Sequence, residues 1–375
     1  MRNKSVAVLD VRSHEVCAAL AEKGVNNTFI IKSKYSHRYE GFAEGELLDI
    51  DDFIAKIREA VGGIVSSVAS PVKEIYVGVP CEFISVVQTD KVLSFPSAQK
   101  IGAKHLQTVK ANSAPTAGEG ETVIKSAALY YLLSDKRRVL NPVGMTSDSL
   151  RAKLCFFLCK TSFLDIVERA LQPFTTIRTI NWLPQSYTQS QYLFDADKKD
   201  GYSILFDMGY ISSSFSVVCG NGVAFNEAFS IGVGHVAVLL MEALDIPFEV
   251  AAGLLKQVNL NAKDRLSSVE EYNKDGKIFS FSSNELRDLI RCGLDGVCEM
   301  LETCIQSFAI KDLTGAPVYV TGEAVGEIRG MIEHFSSRLV TPVEEIAPKV
   351  PYYDKPQYSS LFSLLNAATG GDGAL

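Results

Sequence analysis

The stretch LFDMGYISSSFSVVCGNG, residues 205–222, decides how the rest of the chain is read. An apolar strand arrives at Asp207, a short run of small and hydroxyl residues follows, and a second strand leaves after Ser214 towards Gly220-Asn221-Gly222. An acidic residue at a strand end, facing such a turn, can hold a phosphate and its metal. The turn offers backbone N–H groups, and the carboxylate accepts from metal-bound water. Yet Gly209 is the one glycine in this turn, and Tyr210 and Ile211 stand where a phosphate needs bare backbone.

The same pattern opens the chain. SVAVLDV (5–11) ends close to Asp10, EVCAALA (15–21) follows a short turn, and NTFIIKSKY (27–35) comes after Lys23-Gly24. All three alternate as strands do. Two copies of strand, acid, turn, strand, glycine turn and strand imply a duplicated unit. Either aspartate alone could be a plain turn cap; their repetition favours a ligand site.

Between the copies, DIDDFIAKIREAVGGIVSSVA (49–69) has helical spacing behind an Asp cap, and KEIYVGVP (73–80) is a short buried strand closed by Pro80. From about residue 84 the texture changes. EFISVVQTDKVLSF (82–95) reads as edge strands, SAPTAGEGETVIKSA (113–127) as loop, and 128–159 as further strands. This is a small α+β module inserted ahead of the helix SFLDIVERALQPF (162–174). In the second half, 233–257 and 283–309 are predicted helical, the latter capped by Ser283. APVYVTGEAVGEIRGMIEHF (316–335) reads as strand, glycine turn and helix, and SSLFSLLNAATGG (359–371) as a last short helix. The expected division is a first domain of 1–83 plus 163–198, the module at 84–162, a second domain of 199–345, and a C-terminal segment, 346–375, whose helix returns to the first domain.

Composition narrows the function. A net charge of −7 offers no broad basic field, so nucleic acid is not an expected partner. The cluster Lys136-Arg137-Arg138 lies beside Asp135 and reads as a solvated turn. The opening MRNKSVAVLDVRSHEV is interrupted by Asp10 and Arg12, which excludes a signal peptide, and no apolar run approaches the roughly 18 residues of a membrane span. The eight cysteines are expected as reduced thiols. Cys155 and Cys159 share a face but have no His or second Cys pair nearby; Cys292, Cys298 and Cys304, six apart, do not share one. His14 and His235 read as hydrogen-bonded structural residues, and Gly232 and Gly234 as a helix entry, whether or not a ligand binds there.

Two halves with acidic strand ends facing one cleft resemble the actin-like fold of duplicated ribonuclease H-like units. Within it the chain resembles the bacterial cell-division FtsA family. NPVGM (141–145) falls in the inserted module, FSIGVGHVAVLLMEALDIPFEVAAGLLK (229–256) is similar to a glycine turn, a helix and the following helix that reaches adenosine, and VYVTGEAVGEIRGMIEHF (318–335) to a strand-TGGG-helix segment. The order of these pieces spans 5–369. Taken alone, NPVGM is also a plain turn starter.

The resemblance implies ATP and magnesium as ligands. Asp10 and Asp207 would hold Mg²⁺ through water, with Arg12, Ser13, Gly209, Ser212, Ser213, Gly232, Gly234, Glu249, Lys256, Gly322 and Glu323 around the nucleotide. Departures from the family predict weak affinity and at most weak ATPase activity. Val11-Arg12-Ser13-His14 follow Asp10, Glu323 replaces a glycine, the second adenosine-helix carboxylate is absent at Ala252, and Lys256 sits one place off. The implied function is a cytoplasmic, self-associating adaptor. It would link the tubulin-like division-ring protein to membrane machinery at the septum. The rival readings are a PilM-like scaffold of type IV pilus assembly and an actin-like ATPase. The module is expected to make the contact between subunits, so that removing 84–162 leaves a folded core that no longer self-associates. NAATGGDGAL (366–375) offers no basic or aromatic residue for an interfacial helix, so membrane contact is expected through a partner.

Overall fold

The computed structural model describes residues 5–25, 28–263, 268–308, 313 and 315–370. Two five-stranded sheets carry the chain, and they share one topology. In the first, β1 (Ser5–Val11) pairs antiparallel with β2 (Glu15–Lys23), and β2 antiparallel with β3 (Phe29–Arg38). On its other side β1 runs parallel to β6 (Glu74–Val79), which is parallel to β11 (Thr179–Pro184). The second sheet repeats this with β12 (Tyr202–Met208), β13 (Ser213–Cys219) and β14 (Gly222–Phe229), then β17 (Val318–Thr321) and β18 (Val343–Glu345).

The register is repeated as well. Asp10 stands opposite Cys17 and Gly78, and Asp207 opposite Ser214 and Thr321. Both aspartates are therefore the penultimate residue of the central strand, where the parallel ladder ends. The central strands are apolar on both faces because each is covered twice. From β1, Ala7, Leu9 and Val11 enter one core while Val6 and Val8 enter another.

Helices cover these faces. α1 (Ile50–Ser66) is capped by Asp49, which accepts from the Asp52 N–H, and buries Phe53, Ile57, Val61 and Ile64. α3 (Thr161–Leu171) packs beside it, and α4 (Gln185–Leu193) and the short α5 (Ala196–Asp200) lead into the second unit. There the helices are α6 (Val233–Leu244), α7 (Phe248–Gln257), α8 (Ser283–Ser307) and α9 (Met331–Arg338). The helical stretch over 233–257 is a helix and a following helix, as the resemblance implies, parted where Asp245 turns left-handed (φ 49°) and Pro247 follows. Ser283 does not cap α8: Ser282 holds that position, while buried Ser283 bonds to Ser268 and Glu270. α10 (Ser359–Ala368) lies against β1, β6 and α4. Two hairpins complete the set, β4 (Phe42–Ala43) with β5 (Glu46–Leu47) and β15 (Val269–Lys274) with β16 (Lys277–Ser282).

Residues 84–160 form a separate sheet, ordered β7-β10-β8-β9, from β7 (Ile84–Lys100), β8 (Glu121–Leu133), β9 (Arg138–Val139) and β10 (Thr146–Lys160), with α2 (Ala103–Ala111) against it. The predicted edge strands are one long strand, and the predicted loop over 113–127 gives way to β8 at Glu121. The sheet is not a loose appendage. Leu129, Cys155 and Phe157 share a core with Val217 and Val223 of the second unit, and a Cβ on Gly220 would overlap the Leu129 carbonyl. Excising 84–162 would strip that core, so a folded remnant is not the outcome this packing supports. Arg138 also crosses the boundary rather than resting in a solvated turn. Its guanidinium donates to Asp200 O at 2.8 Å and Cys219 Sγ at 3.2 Å, and lies over the Tyr130 ring. NPVGM is a turn: Asn141 accepts from the Val143 N–H, and Gly144 (φ 90°) and Met145 bond to the Ile101 backbone.

Candidate functional site: the cleft between the two units

The turn after β1 (residues 12–14) and the turn after β12 (209–212) project from matching ends of the two sheets and meet. Ser13 Oγ accepts the backbone N–H groups of Ile211 (3.3 Å) and Ser212 (3.4 Å). The His14 imidazole lies on the Tyr210 ring, with centroids 4.6 Å apart. Gln189 of α4 reaches over to donate to Asp207 at 2.6 Å, and the Ser212 hydroxyl donates to Glu82 in a close contact.

Asp10 is fully buried and saturated. One oxygen accepts from Gln185 (2.9 Å) and Ser360 (2.6 Å), and the other from Arg12 (3.0 Å). Burial opposes the charge on Arg12, but Asp10 and then Glu323 raise its pKa, so it stays cationic. It also donates to the Gln357 carbonyl at 3.1 Å. The segment before α10 thereby floors the cleft, and Ser359 joins it to the second unit through Thr321 at 2.6 Å.

Glu323 lies 3.6 Å from Arg12 and 3.2 Å from His14 Nδ1. Burial pushes its carboxyl up to about 7, against the pull of Arg12 and with a further push from Asp207. Burial, with Arg12 and Arg38 adding to it, lowers His14 to about 4. Glu323 Oε1 and His14 Nδ1 are both buried without another hydrogen-bond partner. A proton on Glu323, donated to neutral His14, satisfies both. Burial also raises Glu82 and Asp207, with Ser212 and Gln189 respectively opposing the rise.

These contacts divide the cleft. The inner chamber, lined by Arg12, Ser13, Glu82, Asp207, Gly209 and Glu323 among others, measures about 60 Å³. That is space for roughly four waters at about 15 Å³ each. The outer pocket measures about 400 Å³ and is lined by His14, Arg38, Tyr210, Phe248, Tyr272 and Glu323, among others. Glu249 and Lys256 sit on its rim, paired with Lys274 (2.6 Å) and Glu327 (2.9 Å).

The glycines serve close packing. Gly232 has φ −144°, so the helix entry needs no left-handed backbone. A Cβ there would lie 2.4 Å from the Tyr210 carbonyl. The Val233 and Gly234 N–H groups donate to the carbonyls of Gly209 (3.1 Å) and Tyr210 (2.9 Å), so the entry of α6 is bonded to the second turn. Gly322 does take φ 100°, and a Cβ there would meet Asp207 Oδ1 at 2.3 Å.

No family model matches the chain. Two cell-division proteins FtsA are similar in sequence. That of Bacillus subtilis is 21% identical over 88% of this chain and 76% of its own, and that of Neisseria meningitidis 19% over 100% and 92%. Among solved structures, the PilM–PilN type IV pilus biogenesis complex superposes at TM-score 0.62 and 12% identity, covering 97% of this chain and 98% of that one. MreB5 of Spiroplasma citri bound to ADP does so at 0.55 and 8%, covering 96% and 94%. The fold is actin-like.

An actin-like cleft implies a nucleotide with magnesium, and the side chains here do not fit one. Asp10 does not line the inner chamber, and its acceptor sites already meet protein donors. Asp207 faces a chamber of about 60 Å³, and no group of three or more His, Cys, Asp or Glu spaced for a metal occurs among the described residues. As placed, the side chains leave the expected water-mediated magnesium seat without Asp10. Of the predicted residues, Arg12, Ser13, Asp207, Gly209, Ser212, Ser213, Gly322 and Glu323 gather at the inner chamber; Glu249 and Lys256 stand apart at the outer pocket. Sequence reasoning missed Glu82, Gln185, Gln189 and Ser360. Glu82 was within reach: it follows β6 as the 323–326 turn follows β17, so extending the duplication to the fourth strand finds it.

Proposed function

We propose that the chain is an FtsA-like adaptor of bacterial cell division. In this reading it self-associates, and it links the tubulin-like division-ring protein to membrane machinery from the cytoplasmic side. Sequence likeness to FtsA proteins along most of the chain supports it. The observation that carries it is the cleft itself. Its two phosphate turns bond to each other around about 60 Å³, an arrangement suited to a rigid linker and not to turnover of a nucleotide. Weak or absent ATPase activity is the accompanying expectation.

The test is co-sedimentation of the purified chain with polymers of the division-ring protein from the same cell. Saturable pelleting supports the reading, and a chain left in the supernatant at all ratios rejects it. For self-association, β7 is one edge strand of the inserted sheet and Val92 on it is half exposed. A Val92→Asp change should lower the oligomer seen in sedimentation velocity.

A PilM-like scaffold is the second reading, favoured by the superposition on the PilM–PilN complex over nearly the whole of both chains. It predicts binding to a PilN-like protein and none to the division ring. No helix among the described residues is long and apolar enough to cross a membrane. Residues 371–375, part of the C-terminal stretch behind the expected lack of an anchor, lie outside the described residues. Recruitment to the septum through a partner remains part of the proposal.

A further inference from the structure

In this cleft the groups that would receive phosphate already have partners from the chain itself. The Ile211 and Ser212 N–H groups, aimed into the gap, end on Ser13 Oγ. Arg12, the one cation lining the inner chamber among the described residues, is committed to Asp10, Glu323 and the Gln357 carbonyl. Admitting a triphosphate would break the Ser13 bonds and expel Glu323. It would also draw Arg12 from Asp10, leaving a buried carboxylate without its counter-ion.

The outer pocket is different. At about 400 Å³ it is within the size range of small-molecule sites. Tyr210, Phe248 and Tyr272 give it aromatic walls on which a planar ring can stack, while His14 and Glu323 close its inner end. A phosphate tail entering here is stopped at the Glu323–His14 contact before it reaches the two turns, and of the cations lining this pocket, Arg38 and Lys256, the latter is already paired with Glu327.

We propose that the protein's own side chains occupy the phosphate half of the cleft, so that the outer pocket takes a planar, nucleoside-sized ligand that carries no phosphate. The order of affinity is then the reverse of that in a nucleotide site: a bare nucleoside binds better than its triphosphate. Nothing in this depends on the adaptor reading, since division-ring binding can fail while the ligand order holds.

Isothermal titration with adenosine and with Mg-ATP as probes tests it on the unaltered chain. Adenosine should bind saturably, and Mg-ATP at least about tenfold more weakly, equivalent to about 1.4 kcal/mol. Equal or tighter binding of Mg-ATP overturns the proposal, and so does absence of adenosine binding up to millimolar concentration. The double change Ser13→Gly with Glu323→Gly should raise Mg-ATP affinity about tenfold or more and move adenosine little. If circular dichroism finds that variant unfolded, Glu323→Ala, which removes the plug and leaves the first turn untouched, should still narrow the gap between the two ligands. An unchanged gap in Glu323→Ala counts against the proposal.

Discussion

Replacing Glu323 by Gln keeps the shape of the side chain and removes its titration. In the folded protein this carboxyl is raised from 4.5 to about 7, chiefly by burial. The stability contributed by its protonated form is therefore complete below about pH 4.5 and is lost as pH rises through about 7. His14 runs the other way: its neutral form is favoured above about 6.5, and that share is lost as pH falls towards about 4. His14 is present in both proteins, so the difference between variant and parent isolates Glu323. At about 1.36 kcal/mol per pH unit between the two pKa values, Glu323→Gln should gain about 2.5 kcal/mol on the parent between pH 5 and pH 8. With about 2.1 cal/mol/K per residue of unfolding entropy, that is about 3 °C in Tm. Differential scanning fluorimetry at half-unit steps of pH reads it directly. A difference that stays flat, or that favours the parent at pH 8, would refute the account of a protonated Glu323 bridging to His14.

Gly322→Ala should cost at least about 2 kcal/mol by urea unfolding, because an L-residue is strained at φ 100° and its Cβ would press on Asp207. A Tm unchanged within a degree would deny the close packing there. Phe362→Ala empties a fully buried site in α10, against Phe29, Tyr353 and Tyr358, and should cost about 3–5 kcal/mol. Arg138→Ala removes the tie from the inserted sheet to Asp200 and Cys219, at about 1–2 kcal/mol, and limited proteolysis should cut near β9 faster than in the parent.

Much of the fold was legible because duplication repeats its signals. Asp10 and Asp207 end equivalent strands, and each is followed by a hairpin whose alternation is plain in the sequence. What was not legible lay in tertiary contacts. In the sequence β7 reads as pieces because its residues are exposed along much of the edge, so they lack the apolar rhythm by which strands are recognised. α2 is polar, with Val109 its one fully buried side chain, and announces itself by no stripe. At the cleft, Glu323 was noticed as a misplaced acid, but its partnership with His14 joins residues some three hundred positions apart. Gln189 and Ser360 carry no local signal at all. They matter because α4 and α10 pack against each other beneath the first sheet's central strand.

The central claim is that the two lobes are held together by the protein's own groups, without nucleotide. The distance between them is the most direct test. Cys292 on α8 is the one exposed cysteine, the other seven being buried, and Ala55 on α1 is exposed. A spin label at Cys292 and a second at Ala55→Cys would report the separation of the units by pulsed electron paramagnetic resonance. The account predicts a single narrow distance that Mg-ATP at millimolar concentration leaves unchanged. A broad distribution that narrows or shortens when Mg-ATP is added would contradict it.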